Sequence, residues 1–505
     1  MQWRLGIITL TGGILLSMGM LLSGQDGRKG DGAGPSPFHL EELLTFPRET
    51  GVTLSVYPSQ PLQCYVTYGF LTGPNLTTPT LTSAGDEKLV FTLDGLPPNR
   101  EFTYTLWWKR IAQTEFIPRP PGTFRTLKSP GKKVTFGVIA DTHAYAQWTQ
   151  AQTLGGSIGF DNVTGTVRNM ALDDSLDFIV LGGDFAMTSC AVGCKGHLVD
   201  GEFAGEGTVA NQAEADLRYR KTFSPDVLGL MARSKPMFWV LGNHDGEVGF
   251  GDVNGSCNHY DTTALLSRNA RQRYLPRVEH FLPNSSPQGN YYSFRSGDVQ
   301  VVVLDILRYN SDYPMSPDEW TLGTRQLLWL NRTLEQSTAP FKFVFAEHLL
   351  GGLTGPNDCY WYGRGQLKST ISGEITSPFL GEQALVHEIL KAHDAQVFFT
   401  FHDHVVVYGE KPGPNGEGEG VTYVVGGQGG ALSPGWAQQD WYRETMDYDE
   451  DGVPEYATDV TGTTKRGYFR VTVEPGGQAT FEYVRTHTSN AALNGTTVLS
   501  FPVSP

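Results

Sequence analysis

The 505 residues suffice for two or three domains and a large buried core, and an apolar share of 39% with 11% aromatics is that of a globular protein. A formal net charge of −15 excludes a generally basic surface and argues against a nucleic-acid backbone as the main partner. It leaves open the local charge of a cleft, where bound cations would dominate.

Residues 1–24 read as an export segment. Arg4 is followed by an apolar stretch over 5–22, and Ser17, Gly19 and Gly24 offer small residues near cleavage points. The stretch is long for a signal peptide, so an uncleaved signal-anchor is the alternative. Either reading puts the rest of the chain outside the cytosol, secreted, extracellular or lumenal, with no membrane contact beyond that anchor. Six Asn-X-Ser/Thr triplets, beginning at Asn75, Asn162, Asn254, Asn284, Asn331 and Asn494, fit a glycoprotein. Of five cysteines, Cys190 and Cys194 could close a tight loop and Cys257 and Cys359 could join two insertions, leaving Cys64 over, but the connectivity stays open. No CxxC pair occurs, which argues against a zinc–thiolate cluster.

Residues 25–39, rich in Gly, Pro and charge, form a linker. From 40 to 128, short alternating runs such as 52–57 and 64–68 are separated by Pro, Gly and Asn turns, which predicts a small all-β module. Its stretch 91–99, leading into 102–107, resembles the corner of a fibronectin type III sandwich, with a buried Leu before the turn and a Tyr on the next strand.

From Lys132 strands alternate with helix-like segments at 168–175, 212–233, 324–337 and 381–393. In the third, Leu327, Leu328, Leu330 and Leu334 are expected to form the apolar face. The alternation predicts an α/β domain over 132–488, a layered β-sandwich flanked by helices, with a C-terminal hairpin at 468–484 and a tail at 489–505. Insertions at 188–211, 248–287 and 349–379 have loop composition.

The strand ends carry the chemistry. The apolar run 133–140 leads into Asp141-Thr142-His143, and 176–181 into Gly182-Gly183-Asp184. The run 237–241 precedes Gly242-Asn243-His244-Asp245, 341–345 precedes Glu347-His348, and 395–400 precedes His402-Asp403-His404. Ligands bind outside the carboxyl ends of strands in open α/β sheets, so these clusters can converge on one site. Carboxylate oxygen and imidazole nitrogen suit Zn, Mn, Fe and similar ions, and one carboxylate can bridge two of them. A sixth run, 299–304, ends at Asp305, which is read as structural. Glu347, directly before His348, could touch the metal shell, but it is expected to point away, because neighbours along a strand face opposite sides.

In this order and spacing, the segment 132–428 with the C-terminal hairpin resembles the calcineurin-like metallophosphoesterases, whose motifs run DxH, GDxxD, GNH[DE], a lone His, and GHxH. The resemblance implies a first metal on Asp141, His143 and His404, a second on Asn243, His348 and His402, and Asp184 between them. It implies His244 beside the phosphoryl oxygen as stabiliser or acid, with Asp245 orienting its ring. The β module and hairpin are also similar to the layout of purple acid phosphatases. This chain departs from those enzymes in having His143 in place of a Gly and Met187 in place of a Tyr ligand, which also removes the second Asp of GDxxD. Phe401 replaces the Gly of GHxH.

The implied function is a secreted enzyme with two divalent metals, hydrolysing the monoesters of small phosphorylated substrates by a metal-bound hydroxide. A phosphodiesterase acting on nucleotides or phospholipid head groups is the alternative, and a non-catalytic extracellular binding protein is the alternative of another class. No HExxH helix supports a metalloprotease. Arg308, Arg325 and Arg364 are candidates for phosphate contact or plain surface charges. His197, His259, His280, His387 and His393 lack motif context and read as packing or surface residues. Asp447, Asp449 and Asp451 open a DxDxDG stretch that suits a structural Ca²⁺, although Thr458 stands where a calcium loop has its Glu, and a solvated acidic turn is the alternative.

Overall fold

The computed structural model describes residues 36–505 apart from 74, 145–159, 187, 189–197, 200–201, 204–208, 210, 246–259, 288, 306–307, 310–319, 349–381, 403–405, 413–417, 427–465 and 487–489. The export segment, His404, Met187, the four cysteines other than Cys64, and the acidic Asp447–Asp451 stretch lie outside the described residues. Cys64 is a free, buried thiol.

The principal strands are β1 Phe38–Arg48, β2 Gly51–Pro58, β3 Leu62–Gly69, β4 Leu89–Leu93, β5 Glu101–Arg110, β6 Gly122–Arg125, β7 Val134–Ile139, β8 Phe178–Leu181 and β9 Met237–Trp239. They continue with β10 Tyr292–Ser296, β11 Val299–Val303, β12 Phe341–Phe345, β13 Val397–Thr400, β14 Val406–Pro412, β15 Gly418–Gly426, β16 Gly467–Val473, β17 Ala479–Arg485 and β18 Thr497–Val503. The principal helices are α1 Phe160–Leu172, α2 Gln212–Thr222, α3 Tyr260–Tyr274, α4 Gly323–Gln336 and α5 Glu382–Ala392.

A nine-stranded sheet runs in the order β18-β17-β16-β7-β8-β9-β1-β2-β4, and a six-stranded sheet in the order β10-β11-β12-β13-β15-β14. Within them β7, β8 and β9 are parallel, as are β11, β12, β13 and β15. Strands buried on both faces need apolar residues at every position, which explains the continuous runs in the sequence. Along β12, Phe341, Phe343 and Phe345 enter the core between the sheets, while Val344 turns to a second core with Leu330 and Leu334 of α4 and Val386 and Leu390 of α5. On the nine-stranded sheet Phe136 faces Phe345 of the other sheet, with ring centroids 6.5 Å apart. Its neighbour Gly137 makes room for helix α1, since a Cβ there would lie 2.6 Å from Met170 Cε. The result is the expected layered sandwich with helices outside both sheets.

Strands β1 to β6 form the all-β N-terminal part, with a core of its own that includes Leu54, Leu62, Val66, Phe102, Leu106 and Phe124. Leu96 and Tyr104 are buried as the sequence suggests, but the Tyr104 hydroxyl donates to the Arg233 carbonyl at 2.9 Å, tying the module to the catalytic part. Lys88 makes a similar tie, its Nζ donating to the Gln272 and Leu275 carbonyls at the end of α3.

Several boundaries differ from the sequence reading. Strand β1 begins at Phe38, inside the expected linker, and pairs in parallel with β9 through Thr45 and Met237. The expected tail contains β18, which pairs antiparallel with β17. The second insertion contains helix α3, whose polar surface meets α2 through Gln212, Asp216 and Arg273. The segment 212–233 is two helices, α2 and the short Gly229–Ala232. In α4, Leu328 is 52% exposed and stands off the apolar face.

Candidate metal centre

Each candidate side chain leaves its sheet where a strand stops. Asp141 and His143 follow β7, Asp184 follows β8, and Asn243, His244 and Asp245 form one turn of 3₁₀ helix after β9. Glu347 and His348 follow β12, and His402 follows β13. Two sheets therefore feed one end of the sandwich. The turns are sharp: Asp141, His143, Asp184 and His402 have φ of 45°, 41°, 57° and 63°. These are four of the eight described non-glycine residues with positive φ, so half of the left-handed non-glycine backbone among the described residues lies at this site.

Hydrogen bonds lock the turns together. The Asp141 N–H donates to the Gly183 carbonyl and the His143 N–H to the Asp184 carbonyl, both at 3.0 Å. The His402 N–H donates to Asp141 Oδ2 at 3.1 Å, and the His244 N–H to Asp184 Oδ1 at 2.8 Å. The Phe401 N–H donates to the Glu347 carbonyl at 3.0 Å. Positive φ falls on His402 rather than Phe401, so the position needs no glycine, and the Phe401 ring fills the space over Gly182, where a Cβ would lie 2.8 Å from it.

The donor atoms form two groups. Those of Asp141, His143 and Asp184 lie within 4.8 Å of one another, and so do those of Asp184, Glu347 and His402. Asp184 belongs to both. Asn243 Oδ1 lies 2.8 Å from His402 Nδ1, near the roughly 3 Å that separates adjacent ligands about 2.1 Å from one ion. His348 packs its ring against His402, with centroids 4.2 Å apart, without joining either group of mutually close donors. His143 and His244 approach Asp184 Oδ2 to 3.6 and 4.0 Å. The Asp184 side chain is fully buried, whereas that of His244 is 17% exposed and faces the open side.

The electrostatics fit cations. Burial opposes ionisation of Asp184, yet His244, His143 and His402 hold its carboxyl well below the ordinary range. Burial drives His348 well below the usual imidazole range, leaving the neutral form that binds metals. Burial, then the charges of Asp184, Asp141 and Asp245, push Glu347 well above the ordinary carboxylate range. The Gly183 amide eases that push, but neither Glu347 oxygen accepts a well-aligned hydrogen bond, and nor does Asp184 Oδ2. Buried carboxylate oxygens left this way favour a bound cation.

Two residues behave differently from the sequence reading. Asp245 accepts four backbone amides: Phe185 and Ala186 N–H on Oδ1 at 3.0 and 2.8 Å, and Asp184 and Gly242 N–H on Oδ2 at 3.0 and 2.9 Å. Four donors fill two oxygens, so its carboxylate holds the Asp184 turn rather than the His244 ring. Glu347, expected to point away, lies in the second donor group with none of its surface exposed. Strand β12 ends at Phe345, and Glu347 and His348 occupy a bend where the pleat no longer alternates side chains. Its signal in the sequence was a Glu directly beside a ligand-type His.

The remaining candidates lie elsewhere. Asp305 accepts the Asn290 amide at 2.9 Å, a structural bond. His387 is buried beside Tyr423, and His393 bonds Asn331 at 2.9 Å. His280 and Arg325 are exposed, Arg308 falls on a short strand, and His197, His259 and Arg364 lie outside the described residues. Among the described residues no helix is long and apolar enough to cross a membrane.

Comparison with known proteins agrees with this geometry. The model of the family described as calcineurin-like phosphoesterase matches residues 134–406, more than half of the chain. The structure of PhoD is similar in fold, at 17% identity and a TM-score of 0.62 over 93% of this chain and 92% of that one. The purple acid phosphatase PPD1 from yellow lupin (Lupinus luteus) seeds is similar at 15% identity and a TM-score of 0.57, over 92% of this chain and 74% of that one. No curated protein sequence matches. With the family match starting at β7 and taking in every strand end just described, the chain belongs to the calcineurin-like phosphoesterase family, hydrolases of phosphate esters that depend on divalent metal ions.

Proposed function

We propose that the chain is an exported phosphomonoesterase with two metal ions; the observation that carries the two-metal centre is the double membership of Asp184 in both donor groups. Asp141 and His143, with His404, would hold one ion, and Asn243, His348 and His402 the other, with Asp184 between them. The residues present fit Zn, Mn or Fe. Bound there, the ions would polarise the phosphoryl oxygens and lower the pKa of a water for in-line attack.

The chain's own residues do the rest. His244 stands at the open side, near Asp184, where it would meet a phosphoryl oxygen or protonate the leaving group. Asp245 and the glycine turns keep Asp184 fixed, so little reorganisation is needed during reaction. The buried floor of Asp141, Asn243, Glu347 and His348 excludes water behind the site. Export rests on the 1–24 segment and the Asn-X-Ser/Thr triplets. Of these, Asn75 and Asn494 are exposed, the Asn494 amide donating to Asn169 Oδ1 at 3.0 Å, and the Asn284 amide bonds Ser293 and Thr333.

The test compares p-nitrophenyl phosphate with bis-p-nitrophenyl phosphate across pH and with added Zn²⁺, Mn²⁺ or Fe²⁺, alongside Asp184→Asn and His244→Ala. Faster metal-dependent turnover of the monoester, lost in both variants, supports the proposal. Faster diester turnover would make the protein a phosphodiesterase, and no turnover with any of the three metals, by a protein that elemental analysis shows takes up none of them, would leave a binding protein.

A further inference from the structure

We propose that Glu347 is itself a ligand of the metal centre, a third carboxylate beside Asp141 and Asp184, and that it makes the ion on the Asn243–His402 side one that prefers oxygen donors. This rests on the two-metal reading above.

Three observations converge on it. Glu347 has no exposed surface, and its donor atom lies within 4.8 Å of those of Asp184 and His402. Neither of its oxygens has a well-aligned hydrogen bond. A carboxyl group serving only as packing would be expected to find a well-aligned hydrogen-bond partner, since an unsatisfied buried polar group is costly. The backbone is also shaped around it. A Cβ on Gly183 would fall 2.0 Å from Glu347 Oε2, and one on Gly242 would fall 2.9 Å from Oε1. These are the glycines that precede Asp184 and Asn243. Their missing side chains let the Glu347 carboxylate sit between the two turns that deliver those donors.

The consequence is chemical. Asp141 and Asp184 alone would bring two negative charges to two divalent ions, and Glu347 makes three. On its side of the site the oxygens of Asp184, Glu347 and Asn243 outnumber the imidazoles of His348 and His402. Carboxylate and carbonyl oxygen suit Mn²⁺ and Mg²⁺, whereas imidazole-rich sites suit Zn²⁺. The added carboxylate therefore shifts the second position toward Mn²⁺ relative to Zn²⁺.

Glu347→Gln keeps the side chain's size and removes its charge. The purified full chain and this variant are stripped, then titrated with Mn²⁺ and with Zn²⁺ against a competing chelator, and the bound metal is counted by elemental analysis. The expected result is two ions per wild-type chain, at least about tenfold weaker binding of one Mn²⁺ in the variant, and a preference moved toward Zn²⁺. A crystal structure of the Mn²⁺-loaded wild type decides between a ligand and a positioning group. A Glu347 oxygen about 2.0–2.4 Å from an ion supports the proposal, and both oxygens beyond bonding distance overturn it. That structure also decides the matter if the variant does not fold. Two ions bound equally by wild type and variant would overturn the role of Glu347 and leave the two-metal reading standing. A wild type that binds no ion would overturn both.

Discussion

Replacing Asp245 by Asn is the sharpest test of how the site is built. In the wild type each oxygen of Asp245 accepts two backbone amides, from Phe185 and Ala186 on one side and Asp184 and Gly242 on the other. Asparagine has one carbonyl oxygen. Whichever way its amide is turned, its NH₂ faces two N–H donors. Two buried donors then lose their acceptor, at about 1–3 kcal/mol each, so Asp245→Asn should cost about 2–6 kcal/mol. At about 2 °C per kcal/mol for a large unit, the melting temperature should fall by about 4–12 °C. Asp184 rides on the same turn, so metal content and activity should fall with it. Thermal unfolding and elemental analysis on one set of samples give both readouts. A variant that melts within about 1 °C of wild type and keeps its metal would refute the assignment of Asp245 as the clamp of the Asp184 turn.

Gly183→Ala would drive a methyl group into Glu347 and into Gly242 Cα, 2.5 Å away, so a loss of about 1–3 kcal/mol together with lost metal is expected from unfolding and metal analysis. Phe401→Gly restores the family's motif yet should destabilise the protein by about 3–5 kcal/mol in chemical denaturation, because the ring fills a buried space against Gly182. In the terminal hairpin, the Arg470 hydrogen bond holds the Glu482 carboxyl below its ordinary value against the opposing effect of burial. That stabilisation is present above the unfolded carboxylate's pKa and disappears as pH falls through the lowered one. Melting curves between pH 6 and 3 should therefore fall more steeply in wild type than in Arg470→Met, and parallel curves would count against the pair.

Most of the site was legible because its residues follow apolar runs of a kind only doubly covered parallel strands need. Asp141, Asp184, Asn243 and His402 could be placed at one end of the sandwich from that pattern alone. Glu347 was not legible, because the alternation rule was carried two residues past the end of its strand. Helix α3 was hidden by its polar sequence: it meets α2 through Gln212, Asp216 and Arg273 and offers little apolar period. Strand β18 was hidden by Pro502, which a central strand would not tolerate. It pairs with Thr480 and lies on an edge strand, the place in a sheet where a proline is tolerated. The role of Asp245 depends on backbone amides brought from another strand end, and local sequence carries no trace of them.

Strand β1 has a consequence for how the protein could be divided. It covers the side of β9 away from β8, so the sheet that carries Asp184 and Asn243 continues without a break into β1, β2 and β4. A truncation beginning at Lys132 would strip that cover and leave β9 as an open edge, a template for pairing with other chains. It would also remove the donor side of the Lys88 and Tyr104 ties to α3 and Arg233. The N-terminal strands act as the closing flank of the catalytic sheet, and a phosphoesterase domain cut out at the sequence boundary would be expected to aggregate rather than fold alone.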